Sequence, residues 1–329
     1  MIKTTNRKIL IYITFLVGLL GCSDTFNGEL IFVEPERKDS FNFPYLLYIP
    51  DQISKGSTVH IIVEPNNSGF ANDDIQKHIE KAKRVATKDF YIGNYVAQNL
   101  KIPLLVPVFP RPKTEWKIYT HALDRDVMVQ KGNSLERIDE QLIEMFNDAR
   151  LKLKDKNIDT EEEFLITGFS ASGTFANRFT IIHPDRILAV AAGGINGLLM
   201  LPLEDLHGME LKYPLGTSDM KEFVNKDFQK ELFIKTPQFY YMGARNDNDA
   251  VPYDDAFDPN EREIIYSLLG KGMYLERWSN CMKIYMDNSV NAIIKVFDNI
   301  GHEQPEIIKK EIVEFFRMNI DKKENLHNK

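Results

Sequence analysis

The chain has 329 residues, of which 43% are hydrophobic and 27% charged, and its formal net charge is −7. That is the make-up of a globular protein with room for one large α/β domain or two small ones. The acidic balance argues against a nucleic-acid binder, which ordinarily presents a basic face.

The first residues read as an address rather than as fold. Lys3, Arg7 and Lys8 precede an apolar run over 9–20, and Gly21-Cys22 follows. A basic start, a short apolar stretch and a small residue before the cut make a secretory signal, and the run is short for a membrane-spanning helix. Leu19-Leu20-Gly21-Cys22 resembles a bacterial lipobox. The resemblance implies a signal peptide over 1–21, lipid on Cys22 and a tether over 22–30. It makes the protein extracytoplasmic and bound to the membrane through that lipid. An ordinary signal or an uncleaved anchor is the rival reading. The chain has two cysteines, Cys22 and Cys281. With lipid on Cys22, Cys281 has no disulfide partner and reads as a small core residue.

The folded part is expected over 31–320, with a charged, frayed tail over 321–329. Residues 45–49 and 58–63 are strand-like apolar runs, each stopped by a proline. A loop follows, Asn66-Asn67-Ser68-Gly69, whose residue types suit irregular backbone. Asp73 and Asp74 open a helix with Ile75, Ile79, Ala82 and Val85 on one stripe. A second helix is expected over 90–100 and a buried strand over 102–109. A polar, aromatic loop comes next, with Trp116, Tyr119, His121, Asp124 and Arg125. It reads equally as an active-site wall or as a loop held by an Asp–Arg brace. Asn133 and Glu136 suggest a capping box for a helix carrying Leu142, Met145, Phe146 and Leu153.

The stretch from Phe164 to Ala176 is the most informative. An apolar run ends in Gly168-Phe169-Ser170-Ala171-Ser172-Gly173 and passes at once into a helix-compatible segment. That is the layout of a nucleophile elbow, the strand–turn–helix corner that holds a serine hydroxyl out of a sheet. The neighbours of such a serine must be small. Gly168 meets this need two residues before Ser170, but the residue two after it is Ser172, with Gly173 one place late. Ser172 is the weaker nucleophile candidate, since no glycine lies two residues to either side of it.

A strand over 187–192 follows, and then residues 195–235 interrupt the alternation, in the position where a lid commonly sits. Residues 238–242 form a strand that runs into Gly243-Ala244-Arg245-Asn246-Asp247-Asn248-Asp249. After helices over 261–269 and 275–286, a last strand over 291–297 ends at Gly301-His302, and an amphipathic helix closes the chain. Strands alternating with helices argue a doubly wound, mostly parallel α/β sheet. Such sheets gather ligands at the carboxyl ends of their strands.

Three chemical groups fall at such ends in the order serine, acid, histidine. Ser170 needs a base to become a nucleophile. His302 is that base, because imidazole titrates near neutrality. An acid would fix the imidazole tautomer; Asp249, in register with Val251-Pro252, is favoured over Asp247. The amides of Ala171 and of Asn66 or Asn67 would hold an oxyanion. The acidic run lacks the spacing of a calcium loop, so no metal or cofactor is expected.

On Ser170, the acid loop and Gly301-His302, the chain resembles the α/β-hydrolase superfamily from about Tyr45 to Phe316. Within it, the resemblance is to bacterial serine esterases related to poly(3-hydroxybutyrate) depolymerases and feruloyl esterases. That implies an α/β-hydrolase fold with a small lid insertion, and cleavage of a carboxylic ester through an acyl-enzyme. The alternatives are a serine peptidase of related fold and a non-catalytic lipoprotein that binds a partner at the cell surface. Acyl and alcohol specificity and oligomeric state are not legible at this level.

Overall fold

A computed structural model describes residues 27–36, 40–53, 58–67 and 69–327. The expected signal peptide and Cys22 lie outside the described residues. Eight strands form one sheet in the order β1-β2-β4-β3-β5-β6-β9-β10. They are β1 (Gly28–Val33), β2 (Tyr45–Pro50), β3 (Ile62–Val63), β4 (Leu104–Pro107), β5 (Phe164–Phe169), β6 (Ile187–Gly193), β9 (Gln238–Gly243) and β10 (Ala292–Phe297). β7 (Asp205–Leu206) and β8 (Met209–Glu210) form a separate small hairpin. β1 and β2 are antiparallel to their neighbours, and the pairings from β4 through β10 are parallel.

Both faces of this sheet are covered, so its central strands are apolar throughout instead of alternating. Phe164 and Ile166 of β5 and Tyr240 and Met242 of β9 point into the larger core. That core includes α4 (Ile138–Lys154), α5 (Ala171–Ile182), α8 (Pro259–Leu269) and α9 (Ser279–Asp287). Leu165 and the Phe239 and Tyr241 rings point the other way. There they meet α1 (Ile75–Thr87), α2 (Ile92–Leu100) and α10 (Glu306–His327). Each fully buried Leu, Ile or Phe in these layers contributes about 1.5–3 kcal/mol of transfer free energy.

Several boundaries differ from the sequence expectation for local reasons. β1 begins at Gly28, so the stretch expected as tether up to residue 30 already pairs with β2. Its half-exposed edge position gives it a weak apolar signal. Asn133 and Glu136 cap a turn and not α4: the Asn133 side chain accepts from the Leu135 N–H and Glu136 from the Gly132 N–H. Arg137 then turns through positive φ before the helix starts. α10 runs on to His327, so residues 321–327 are helical where a frayed tail was expected.

The segment 195–235 packs inward. Leu198, Leu199, Met200, Leu201, Leu211 and Tyr213 are buried in the larger core. It carries α6 (Lys221–Val224) and α7 (Lys230–Lys235), whose Val224 and Phe233 join the same core. The loop after β4 is braced as well as wall-forming. Asp124 caps α3 (Arg125–Met128) by accepting from the Val127 N–H, and Arg125 pairs with Asp219 at 2.6 Å. Cys281 is buried and free, as its expected core role requires.

Candidate active site

β5 ends where α5 begins, and Ser170 sits in the corner with φ 61° and ψ −125°. Few non-glycine residues adopt this region, and the strain is held by what surrounds it. The Ser170 N–H donates to the Gly193 carbonyl on β6, and the Thr174 N–H donates to the Ser170 carbonyl. A β-carbon at Gly168 would lie 2.3 Å from the Ser172 carbonyl oxygen, so a larger residue is excluded there. A β-carbon at Gly173 would lie 2.7 Å from the Gly193 carbonyl oxygen. The glycine that seemed one place late is therefore required by the contact between α5 and β6.

Ser172 has its own task. Its fully buried hydroxyl accepts from the Phe169 N–H at 2.9 Å and donates to the Phe169 carbonyl at 3.0 Å. This ties the first turn of α5 back to the end of β5. Ser172→Gly removes both bonds, each contributing about 0.5–1.5 kcal/mol, and puts a glycine into a helix at a further cost of about 1 kcal/mol. A loss of about 2–3 kcal/mol in unfolding free energy is expected in urea titration. An unchanged midpoint would show that the hydroxyl is filler.

Ser170 and Ala171 open onto a cavity of about 240 Å³. Its walls come from the loop after β4 (Arg111, Tyr119), from α5 (Thr174, Arg178), from Leu198, Met200 and Pro214 of the 195–235 segment, and from the loop after β9. Ala171 is the first residue of α5, where an N–H has no helical acceptor and the helix dipole favours negative charge. Among the described residues it has no other acceptor. The loop after β3 reaches the elbow through Asn67, whose side-chain amide donates to the Phe169 carbonyl at 2.6 Å. Asn66 is turned inward and anchors the loop by donating to the His78 carbonyl at 3.0 Å. Gly69, not the asparagines, lines the cavity.

His302 follows β10 on a loop clamped to the loop after β9: the Arg245 N–H donates to the Ile300 carbonyl at 2.8 Å. The Phe169 ring covers its imidazole at a centroid distance of 4.6 Å. The expected acid does not reach this imidazole. Asp249 pairs with the buried Arg277 at 2.7 Å, and its other oxygen accepts from the Val251 N–H. Asp247 is exposed and acts on His302 through space. The group that faces His302 is Asn246, whose Oδ1 lies 3.2 Å from Nδ1.

The amide orientation of Asn246 is decided by its second contact. The Asn248 N–H donates to the same Oδ1 at 3.0 Å, which a nitrogen there would not accept. The proton on the imidazole is thus on Nδ1. On the other side, Asn248 Nδ2 lies 3.0 Å from Nε2 and donates to it. Both contacts require the same tautomer, with the lone pair on Nε2, where it accepts from Asn248. Among the described residues Ser170 Oγ has no hydrogen bond to His302; Asn248 holds the position it would need. Burial lowers the pKa of His302, and Asp247 works against that shift.

One cluster has the residue types of a metal site. Asp139, Glu140 and His183 converge, but Arg137 bridges the two carboxylates at 2.7 and 2.8 Å and Lys226 Nζ sits 3.0 Å from His183 Nδ1. Burial pushes the Asp139 carboxyl up, but the bonds from His183 and Arg137 outweigh it and hold the group well below the usual carboxylate range. The cluster is an ion-pair network that ties the end of α5 to α4.

Neither a protein-family model nor a curated protein matches this chain. Solved structures do. Poly(aspartic acid) hydrolase-1 from Sphingomonas sp. KT-1 superposes with a TM-score of 0.55 at 15% identity, covering 87% of this chain and 96% of that one. LpqC, a poly(3-hydroxybutyrate) depolymerase from Bordetella parapertussis, gives 0.54 at 14%, covering 88% and 89%. The chain has the α/β-hydrolase fold. An S-formylglutathione hydrolase from Agrobacterium tumefaciens extends the likeness, at 0.51 and 10% identity over 92% and 98%. In an α/β-hydrolase fold, Ser170, Asn246 and His302 each follow a strand at the sheet's carboxyl edge, where ligands of such sheets gather.

Proposed function

We propose that the protein is a serine hydrolase of carboxylic esters, with Ser170 as nucleophile, His302 as base and Asn246 as the residue that orients the base. The observation that carries this reading is the positive-φ Ser170 in the wall of a cavity, with a histidine in the base-competent tautomer after β10, at the same carboxyl edge of the sheet. In acylation, His302 Nε2 exchanges its bond to Asn248 for one to Ser170 Oγ and takes the proton as Oγ attacks the ester carbonyl. Asn248 is exposed, so releasing it costs about 0.5–1.5 kcal/mol. The oxyanion is met by the Ala171 N–H at the start of α5, and the loop carrying Asn67 supplies the second donor. The alkoxide leaves with the proton from His302, and water then repeats the sequence on the acyl-enzyme.

The structural relatives are named for different bonds, so they support a hydrolase and leave its substrate open. Two observations favour a non-catalytic binding protein: Asn246 is uncharged, and Asn248 occupies Nε2. Treatment with a fluorophosphonate probe separates the two readings. Stoichiometric labelling that maps to Ser170 is expected; a folded protein that never labels supports the binding reading. The lipobox-like sequence supports a location outside the cytoplasm, with an anchor through lipid on Cys22. Incorporation of labelled palmitate that Cys22→Ser abolishes is the expected result, and no incorporation would refute the anchor.

A further inference from the structure

Three arginines stand at or beside the cavity, and two of them are neutralised. Arg111 pairs with Asp255 and stacks on Tyr119, and Arg277 pairs with Asp249. Arg178 is the third. It is 4% exposed, lines the cavity and forms no ion pair among the described residues. Its Nη1 donates to the carbonyls of Ala122 at 3.0 Å and Leu123 at 3.4 Å. Its other guanidinium nitrogens have no hydrogen-bond partner among the described residues, and the guanidinium lies over the Phe257 ring at 5.7 Å from the centroid.

Asp124 and Glu261 act on that charge through space, but neither bonds the guanidinium. Asp124 accepts from the N–H groups of Val127 and Tyr119, and Glu261 from that of Asp258. Burial pushes both up to about 7, and the nearby guanidinium works against that shift. Burial also disfavours the charged form of Arg178 itself. A buried cation with no carboxylate bonded to it is costly, and a guanidinium fork matches a carboxylate in a bidentate pair.

Its place in the fold says where that carboxylate would lie. Ser170, Thr174 and Arg178 recur every four residues along α5, on the face that lines the cavity. From Ser170 to Arg178 the helix rises about 12 Å, and side chains lean toward a helix's N-terminus, which brings the guanidinium back toward the serine. We propose that Arg178 binds a carboxylate at the far end of the acyl chain being cleaved, so that half-esters of dicarboxylic acids are the favoured substrates. This rests on the serine-hydrolase reading for turnover, but not for binding.

The test compares the 4-methylumbelliferyl half-ester of adipic acid with the same compound methylated at its free carboxyl. The half-ester is expected to have a kcat/KM at least tenfold higher, carried by KM, and Arg178→Gln is expected to bring the ratio to about one. A preference for the methylated compound, or a ratio unchanged by Arg178→Gln, would overturn the assignment. Arg178 also holds two backbone carbonyls, so its replacement can unfold the chain. Calorimetric titration of adipate into Ser170→Ala, in which Arg178 is intact, gives a second readout. Saturable binding that glutaramide or hexanamide does not reproduce is expected, and no binding would overturn the proposal. Fluorophosphonate labelling and turnover of the methylated ester report on the serine-hydrolase reading alone, so the two failures are distinguishable.

Discussion

Replacing Asn246 with aspartate is expected to raise kcat/KM for ester hydrolysis by about 10- to 100-fold, and to move the acidic limb of the pH profile upward. In the wild type, Asn246 already fixes the base-competent tautomer, so only charge is missing. His302 must be neutral to act as base, and burial lowers its pKa from the ordinary 6.5. The wild-type limb therefore lies below 6.5, and activity is retained as pH falls toward it. A carboxylate at Nδ1 favours the imidazolium, which raises that limb and stabilises the cation formed as Ser170 loses its proton. One to two pKa units of such stabilisation correspond to the stated gain, at about 1.4 kcal/mol per unit.

Stability should move the other way. Asn246 Nδ2 is buried without a partner, and a carboxylate oxygen in its place would be equally unpaired. The expected loss is about 1–3 kcal/mol. The measurement is kcat/KM against pH for both proteins. A limb that stays in place, or a rate that falls in a folded variant, would show that residue 246 does not face the base.

This variant also marks the point at which the sequence stopped being readable. Chemical expectation asked for a carboxylate after β9, and that confined the choice to Asp249 and Asp247 and left Asn246 unconsidered. The side chain of Asp249 is taken by Arg277, more than twenty residues away along the chain, and no local pattern announces a long-range ion pair. The elbow was legible because its constraint is local. Strand, small residues and helix must meet within a few positions, and only small side chains fit between Gly168 and Ser172. The parallel sheet was legible for a related reason: strands covered on both faces are short apolar runs. β1 escaped notice because it lies at an edge, with most of its residues partly exposed. Arg178 carries no signal in the sequence, since its place in the cavity wall and its lack of a bonded carboxylate appear only in three dimensions.

Ser170→Ala and His302→Ala are each expected to lower kcat by about 10⁴- to 10⁶-fold, and the double variant is expected to be no worse than the weaker single one. The reason is that neither group does chemistry without the other. A serine hydroxyl keeps its proton unless a base takes it, and a base without the hydroxyl activates only water. What survives in each variant is oxyanion stabilisation by the start of α5 and binding in the cavity, and these are common to all three. The contact between Asn248 and Nε2 sharpens the test. If His302 stayed locked to Asn248 during turnover, Ser170 would react unaided. His302→Ala would then cost little, and the two effects would multiply in the double variant. Single-turnover rates of the four proteins on one activated ester decide between these outcomes. Multiplying losses would sink the assignment of Ser170 and His302 as one catalytic unit, whereas equal losses would require Asn248 to release the imidazole in each catalytic cycle.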